Sequence, residues 1–278
     1  DLFPDREAGV RALCERLTAV LGPATRFYAG EAGWLDAAAA AAQWPAVASA
    51  NWLATASLVA QRLPDAVLID IGSTTTDLIP IRACRPVPTG RSDATRLASG
   101  ELVYLGVVRS PLCALTRRIR FRGTSFNVMN EFFATTADVF RHSGELDAAH
   151  DHYPPADGGA RDEAGSRLRL ARMIGHDARD AGADDWRQFA LRWRAQMVAE
   201  IRRNLVRVIR QAGLPASTPF VGAGCGAFLV RELANTLGHP WVGFDTLAAV
   251  APACRAWARV CAPSVAVAQL APEPPCAS

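Results

Sequence analysis

Val67-Leu-Ile-Asp-Ile-Gly-Ser-Thr-Thr-Thr-Asp-Leu-Ile-Pro-Ile81 decides how this chain is read. It opens as an apolar run of buried-strand composition, Val67 to Ile71. It breaks at Gly72 into the hydroxyl residues Ser73, Thr74, Thr75 and Thr76. Asp77 and a second apolar run, Leu78 to Ile81, close it, so the stretch reads as strand, tight polar turn, strand. The turn suits an anion, because Gly72 lets backbone approach a ligand and successive N–H groups and hydroxyls can point at phosphate oxygens. Asp70 and Asp77 flank it and are placed to hold a hydrated divalent cation against that phosphate. An ordinary hydroxyl-rich hairpin is the alternative.

Outward from the hairpin, helices are expected over 5–21, 36–43 and 50–62 from apolar residues at 3.6-residue spacing. Asn51 sits near the start of the third, placed to cap it or to reach a ligand. Residues 84–99 read as irregular. Residues 100–111 read as a strand ending at a charged turn, bracketed by Glu101 and Arg109. Another strand is expected over 119–126. Residues 130–140 read as a helix with Glu131 and Asp138 two turns apart on one face, able to hold a metal or orient a substrate amine. Residues 144–166, rich in Asp, Gly, Pro and His, read as a mobile loop or lid.

Beyond it, helices are expected over 167–174 and 184–211. The last third alternates strand and helix: a strand at 220–226, helix at 227–237, strand at 240–244, helix at 246–260. That pattern argues an α/β sheet. Gly222 and Gly224 form a turn that lets a helix N-terminus approach an anionic ligand, or that merely packs strand against helix. The tail after Ala262, with its prolines, is expected to be disordered at its end.

Composition narrows the chemistry. The 278 residues are enough for a substantial core and more than one lobe. A net charge of +3, without a basic cluster interleaved with aromatics, gives no case for nucleic acid. All 30 basic residues are arginine. No lysine is present to form a Schiff base or complete a P-loop, and a side-chain cation on phosphate here is a bidentate guanidinium. Seven cysteines, none in CxxC spacing, read as reduced thiols in a cytoplasmic setting. No apolar run reaches the ~20 residues of a membrane span.

Asp70 to Asp77 resembles the second phosphate loop of the sugar kinase/heat-shock ATPase/actin superfamily. Taken with Ala50 to Ala56, Gly100 to Pro111, Glu131 to Val139, Arg169 to Gly175 and Gly222 to Gly224, the chain resembles the hydantoinase/oxoprolinase-like branch of it. Within that branch it is similar to proteins of the tetrahydromethanopterin-linked one-carbon pathway, whose archaeal relatives are synthases of methanofuran biosynthesis. The resemblance implies an α/β, actin-like and ribonuclease H-like two-lobe fold. Residues 1–66 would be the remainder of the first lobe, and 67–278 the second, with an insertion over about 100–200. The superfamily's opening Asp-x-Gly-Gly-x-x-x-Lys loop is not in this sequence, so the first lobe is expected to lack its N-terminal strands.

The activity implied is ether formation, in which a tyramine-type phenol displaces diphosphate from an aminomethylfuran-methyl diphosphate. On that reading Gly72 to Thr76, Gly222 and Gly224 bind the diphosphate. Asp70 and Asp77 hold Mg²⁺, and Arg109 neutralises the departing oxygen. Glu101 or Glu131 binds the furan amine or accepts the phenol proton, and Asn51, Asp138, Arg169 and Arg172 contact substrate. The partner would be a small phosphorylated molecule, with a homo-oligomer left open. ATP is the other candidate ligand, in an ATP-dependent amide hydrolase or a non-catalytic nucleotide-binding protein.

Overall fold

The computed structural model describes residues 2–48 and 50–272. The chain opens with α1 (Arg6–Leu21), capped by the Asp5 carboxylate on the Ala8 N–H. A two-stranded ribbon, β1 (Phe27–Tyr28) and β2 (Trp34–Leu35), leads to α2 (Ala37–Ala42), α3 (Trp44–Val47) and α4 (Asn51–Ala60). The central hairpin follows as β3 (Ala66–Ile71) and β4 (Thr76–Arg82), antiparallel, with the register Asp70 opposite Asp77 and Ile71 opposite Thr76. After it come β5 (Arg85–Pro86), α5 (Asp93–Ser99), β6 (Leu102–Val103), β7 (Arg118–Phe121), β8 (Thr124–Asn127), α6 (Thr136–Ser143) and α7 (Glu163–Arg172). The remainder is α8 (Ala183–Ala212), β9 (Phe220–Ala223), α9 (Ala227–Leu237), β10 (Trp241–Gly243), α10 (Phe244–Leu247), α11 (Arg255–Val260) and α12 (Ala262–Leu270).

The main sheet runs β10-β9-β3-β4-β5, with β6 also pairing β4. β3, β4 and β5 are an antiparallel meander, and β9 and β10 add in parallel beside β3. Side chains alternate across it as the pleat requires. Val67, Ile69 and Ile71 pack into the core under α8 and α9. Ala66, Leu68, Ile79 and Ile81 pack on the opposite side with α4 and α12. Both faces are therefore covered, which is why β3 reads as an unbroken apolar run. The same parity puts Asp70 and Asp77 together on the α4 side, at the end of β3 where the turn begins. A third apolar cluster, around Phe121, Trp186, Phe189 and Trp193, joins the β7–β8 hairpin to α7 and the first half of α8.

Several expectations are corrected. The irregular 84–99 segment contains α5, because Ser92 and Thr95 cap it reciprocally. The single strand over 119–126 is two strands folded back at Arg122–Gly123, with Arg122 at φ +46°. The helix over 130–140 begins only at Thr136, because the Asp138 carboxylate accepts the Thr135 N–H and fixes the helix start there. Glu131 therefore lies in the preceding loop, and no two-carboxylate helix face exists. The helix over 246–260 is broken by Pro252 into α10, a short 3₁₀ turn and α11. Pro263 sits in the first turn of α12, where a missing N–H costs nothing, and that helix packs on α4. The last residues of the expected tail, 273–278, lie outside the described residues.

Candidate active site

Gly72 to Thr75 form the turn between β3 and β4, closed by the Gly72 N–H donating to the Thr75 carbonyl. Thr76 is already in the ladder, and its buried hydroxyl donates to the Leu105 carbonyl at 2.7 Å. That leaves Ser73, Thr74 and Thr75 as the hydroxyls available to a ligand. A second segment, residues 105–109, is laid along the turn. Val107 donates its N–H to the Gly72 carbonyl, and Val108 and Arg109 both donate to the Ser73 carbonyl. Gly106 makes this approach possible, since a Cβ there would stand 2.4 Å from Ser73 C and Thr74 N.

The third wall is the glycine turn after β9. Gly224, at φ +82°, lies against Asp70, and a Cβ on it would meet the Asp70 Oδ1 at 2.5 Å. Gly226 donates its N–H to the Ile71 carbonyl. The structure thus brings together Asp70, Asp77, the hydroxyl turn, Arg109 and Gly224. Gly222 is elsewhere: it is buried inside β9 beneath Trp241 and Val230, where the absent side chain serves strand–helix packing.

Asp70 and Asp77 share one patch but not one environment. Burial and the neighbouring Asp77 charge push Asp70 up to about 8. Burial raises Asp77 as well, but Arg96 opposes it. Its guanidinium is 1% exposed, donates to the Asp77 Oδ1 at 2.5 Å, and is stacked on the Trp52 ring at 4.2 Å. Asp70 therefore keeps its proton near neutral pH. Hard carboxylate oxygens beside hydroxyls are the donor set that Mg²⁺ prefers, and a cation there would oppose the burial and the Asp77 charge that together keep Asp70 protonated. Among the described residues no cluster of three or more His, Cys, Asp or Glu is placed to hold a metal ion.

The remaining expected residues fall into four places. Glu101 is 1% exposed, and its carboxylate accepts the Thr89 and Gly90 N–H groups and the Ser99 hydroxyl. It fastens the loop before α5, and its burial keeps it away from the turn's open face. Glu131 is exposed, beside Phe132. Asn51 is the first residue of α4, exposed, with no side-chain cap at that helix start.

Asp138 and Arg169 belong to a buried ion network, and the exposed Arg172 joins it at the edge through Asp157. The Asp138 Oδ1 accepts from Arg141 at 2.9 Å and from Arg169 at 2.8 Å. Arg169 also donates to Asp157 and to the Ala160 carbonyl, and Arg172 donates to Asp157. Arg141 donates to Asp151 through two nitrogens. The expected lid, residues 144–166, is thereby anchored at two points within it, Asp151 and Asp157. Its middle, Tyr153 to Ala156, roofs a cavity of about 350 Å³ whose other walls include Val108, Phe132, Thr135, Asp138 and Arg141. Arg109 stands between this cavity and the turn, its guanidinium 4.6 Å from the Tyr153 ring centroid and its Nη1 3.4 Å from the Thr74 hydroxyl. Sequence reading missed Tyr153 and the cavity. Tyr153-Pro154-Pro155 was a visible rigid aromatic signal inside a segment taken as mobile.

Residues 20–271 match the hydantoinase/oxoprolinase family. The chain belongs to that family. It is 31% identical over 183 residues to the (4-{4-[2-(gamma-L-glutamylamino)ethyl]phenoxymethyl}furan-2-yl)methanamine synthase of Methanococcus vannielii, covering 66% of this chain and 81% of that one. It is 28% identical over 215 residues to the protein of the same name from Methanocaldococcus jannaschii. That match covers 77% of this chain and spans 65% of the relative's length. Among solved structures, nucleotide-free acetone carboxylase superposes with a TM-score of 0.56 over 84% of this chain and 36% of its own, at 15% identity. This family member therefore has the actin-like, ATPase-type α/β fold that the hairpin and its resemblance led us to expect. No helix among the described residues is long and apolar enough to cross a membrane.

Proposed function

We propose that this family member is a transferase that forms an alkyl–aryl ether, with a tyramine-type phenol displacing diphosphate from an aminomethylfuran-methyl diphosphate. One observation carries the reading: the hydroxyl turn and a separate cavity flank a single guanidinium, Arg109, so that an anionic leaving group and a second reactant can meet at one point. The names of the relatives supply the chemistry, since their product joins a phenol oxygen to a furan-methyl carbon.

In the step proposed, the phenol oxygen bonds to the furan-methyl carbon and the carbon–oxygen bond to diphosphate breaks. The bonding pair leaves with the diphosphate, and the phenol proton passes to a carboxylate or to water. Ser73, Thr74 and Thr75 orient the diphosphate, and Arg109 opposes the charge that grows on it. Mg²⁺ held by Asp70 and Asp77 would supply further neutralisation of that leaving group. Glu131, beside Phe132 at the cavity wall, is the carboxylate left for the phenol proton, because that of Glu101 is already engaged by three donors.

The test is release of diphosphate from the furan-methyl diphosphate. It is expected only when the phenol is also present. No release with both substrates would sink the reading, and phosphate release from ATP stimulated by a cyclic imide would replace it with an amide hydrolase.

A further inference from the structure

The cavity under Tyr153 to Ala156 is lined by none of the residues of the hydroxyl turn, and its walls say which reactant it takes. We infer that it is the subsite of the phenol acceptor and that it rejects the cationic furan amine. This inference rests on the transferase reading above.

Three observations support it. The first is shape. Phe132, Val108, Ala137 and the Tyr153-Pro154-Pro155-Ala156 roof give apolar and aromatic walls, the lining that holds a flat ring. Two consecutive prolines and anchors at Asp151 and Asp157 keep that roof in place before any ligand arrives.

The second is charge. The charged side chains in the wall are Arg109, Arg141 and Asp138. Asp138 is already shared between Arg141 and the buried Arg169, so it has no spare charge for an ammonium. Arg141 is likewise engaged by Asp138 and Asp151, so the charge left at the wall is that of Arg109. It favours a neutral phenol, or the phenolate formed from it, and it opposes an aminomethyl cation.

The third is position. Arg109 has the Thr74 hydroxyl on one side and the Tyr153 ring on the other. Displacement at carbon needs the nucleophile on the side opposite the leaving group. With diphosphate on the turn, a ring held across Arg109 satisfies that requirement, and Arg109 also favours its ionised oxygen.

The experiment is calorimetric titration of wild-type protein and Ala156→Trp with three probes: N-acetyltyramine, furfurylamine and inorganic diphosphate. A Trp at 156 fills the cavity from its roof and leaves the turn alone. N-acetyltyramine affinity is expected to fall at least tenfold, while diphosphate affinity changes less than twofold and furfurylamine is unaffected. Tyr153→Ala is the second variant, with the same selective loss expected. Matched thermal unfolding of the variants and the parent guards against general misfolding. Unchanged N-acetyltyramine binding in both variants would overturn the subsite, as would selective loss of furfurylamine instead. Diphosphate that fails to bind the wild-type protein overturns the transferase reading and the subsite with it.

Discussion

Arg169 and Asp138 form an ion pair at 2.8 Å with each side chain only 1% exposed. Two charges this deep are tolerated because each has further partners: Asp138 accepts from Arg141 and the Thr135 N–H, and Arg169 donates to Asp157 and the Ala160 carbonyl. Removing one partner strands the others. Arg169→Met is expected to destabilise the protein by about 3–5 kcal/mol in denaturant unfolding. The double variant with Asp138→Asn should cost less than the sum of the two single changes, and strict additivity would argue against a coupled network.

Gly106 gives a prediction independent of charge. Its neighbours within 2.6 Å of a hypothetical Cβ are all backbone atoms of the hydroxyl turn. They cannot rotate away as a side chain would. Gly106→Ala should therefore part the 105–109 segment from the turn and lower stability by about 2–3 kcal/mol. Diphosphate binding should fall more than tenfold under conditions where the variant is still folded. Retention of full affinity would mean that the contact does not shape the anion site.

The Asp70 carboxyl sets a pH dependence whose sign is fixed. Its folded pKa, about 8, is above the ordinary value. Between the two values the folded protein keeps a proton that the unfolded chain releases. Stability of the unliganded protein should therefore decline as pH rises from about 4 to about 8. Asp70→Asn should flatten that part of the curve, measured as melting temperature against pH. Mg²⁺ held there as proposed would compete with the same proton, so its stabilising effect should grow as pH rises through that window.

His142 works in the opposite direction. Its side chain is 1% exposed, and burial holds it below its usual value. Glu163, 3.6 Å away, pulls it up, and Arg167 and Arg187 push it down. The folded protein keeps the ring neutral where the unfolded chain protonates it. Its contribution is present above about 6.5 and is lost as pH falls below that value. His142→Phe should remove that acid-side loss, and an unchanged slope would show that another group is responsible.

The hairpin at 67–81 was legible because its strands are covered on both faces and its turn is a run of hydroxyls. α8 was legible because Trp193, Met197, Ile201 and Leu205 repeat at helical spacing. Short elements set by a few polar bonds were harder to read. The Ser92–Thr95 capping pair and the Thr135–Asp138 pair were both in view, yet neither lies beside a long apolar period. Asp70, Ser73, Thr74, Thr75, Arg109 and Gly224 lie around one turn, because the strand register and two glycine approaches bring them there. Asp138 and Arg169 turn out to be held by each other and Arg172 by Asp157, because which of several arginines meets which carboxylate depends on tertiary contacts between α6, α7 and the 151–162 loop.

Trp52 beneath Arg96 extends the site's circuitry into the interior of the protein. Against the burial that raises Asp77, the opposing charge comes from a guanidinium that no ligand at the turn need touch. That guanidinium is steadied in turn by an indole rooted in α4, on the helix layer that α12 covers. A packing change between those two helices would therefore reach the anion site as a change of voltage, with the walls of the site left where they were.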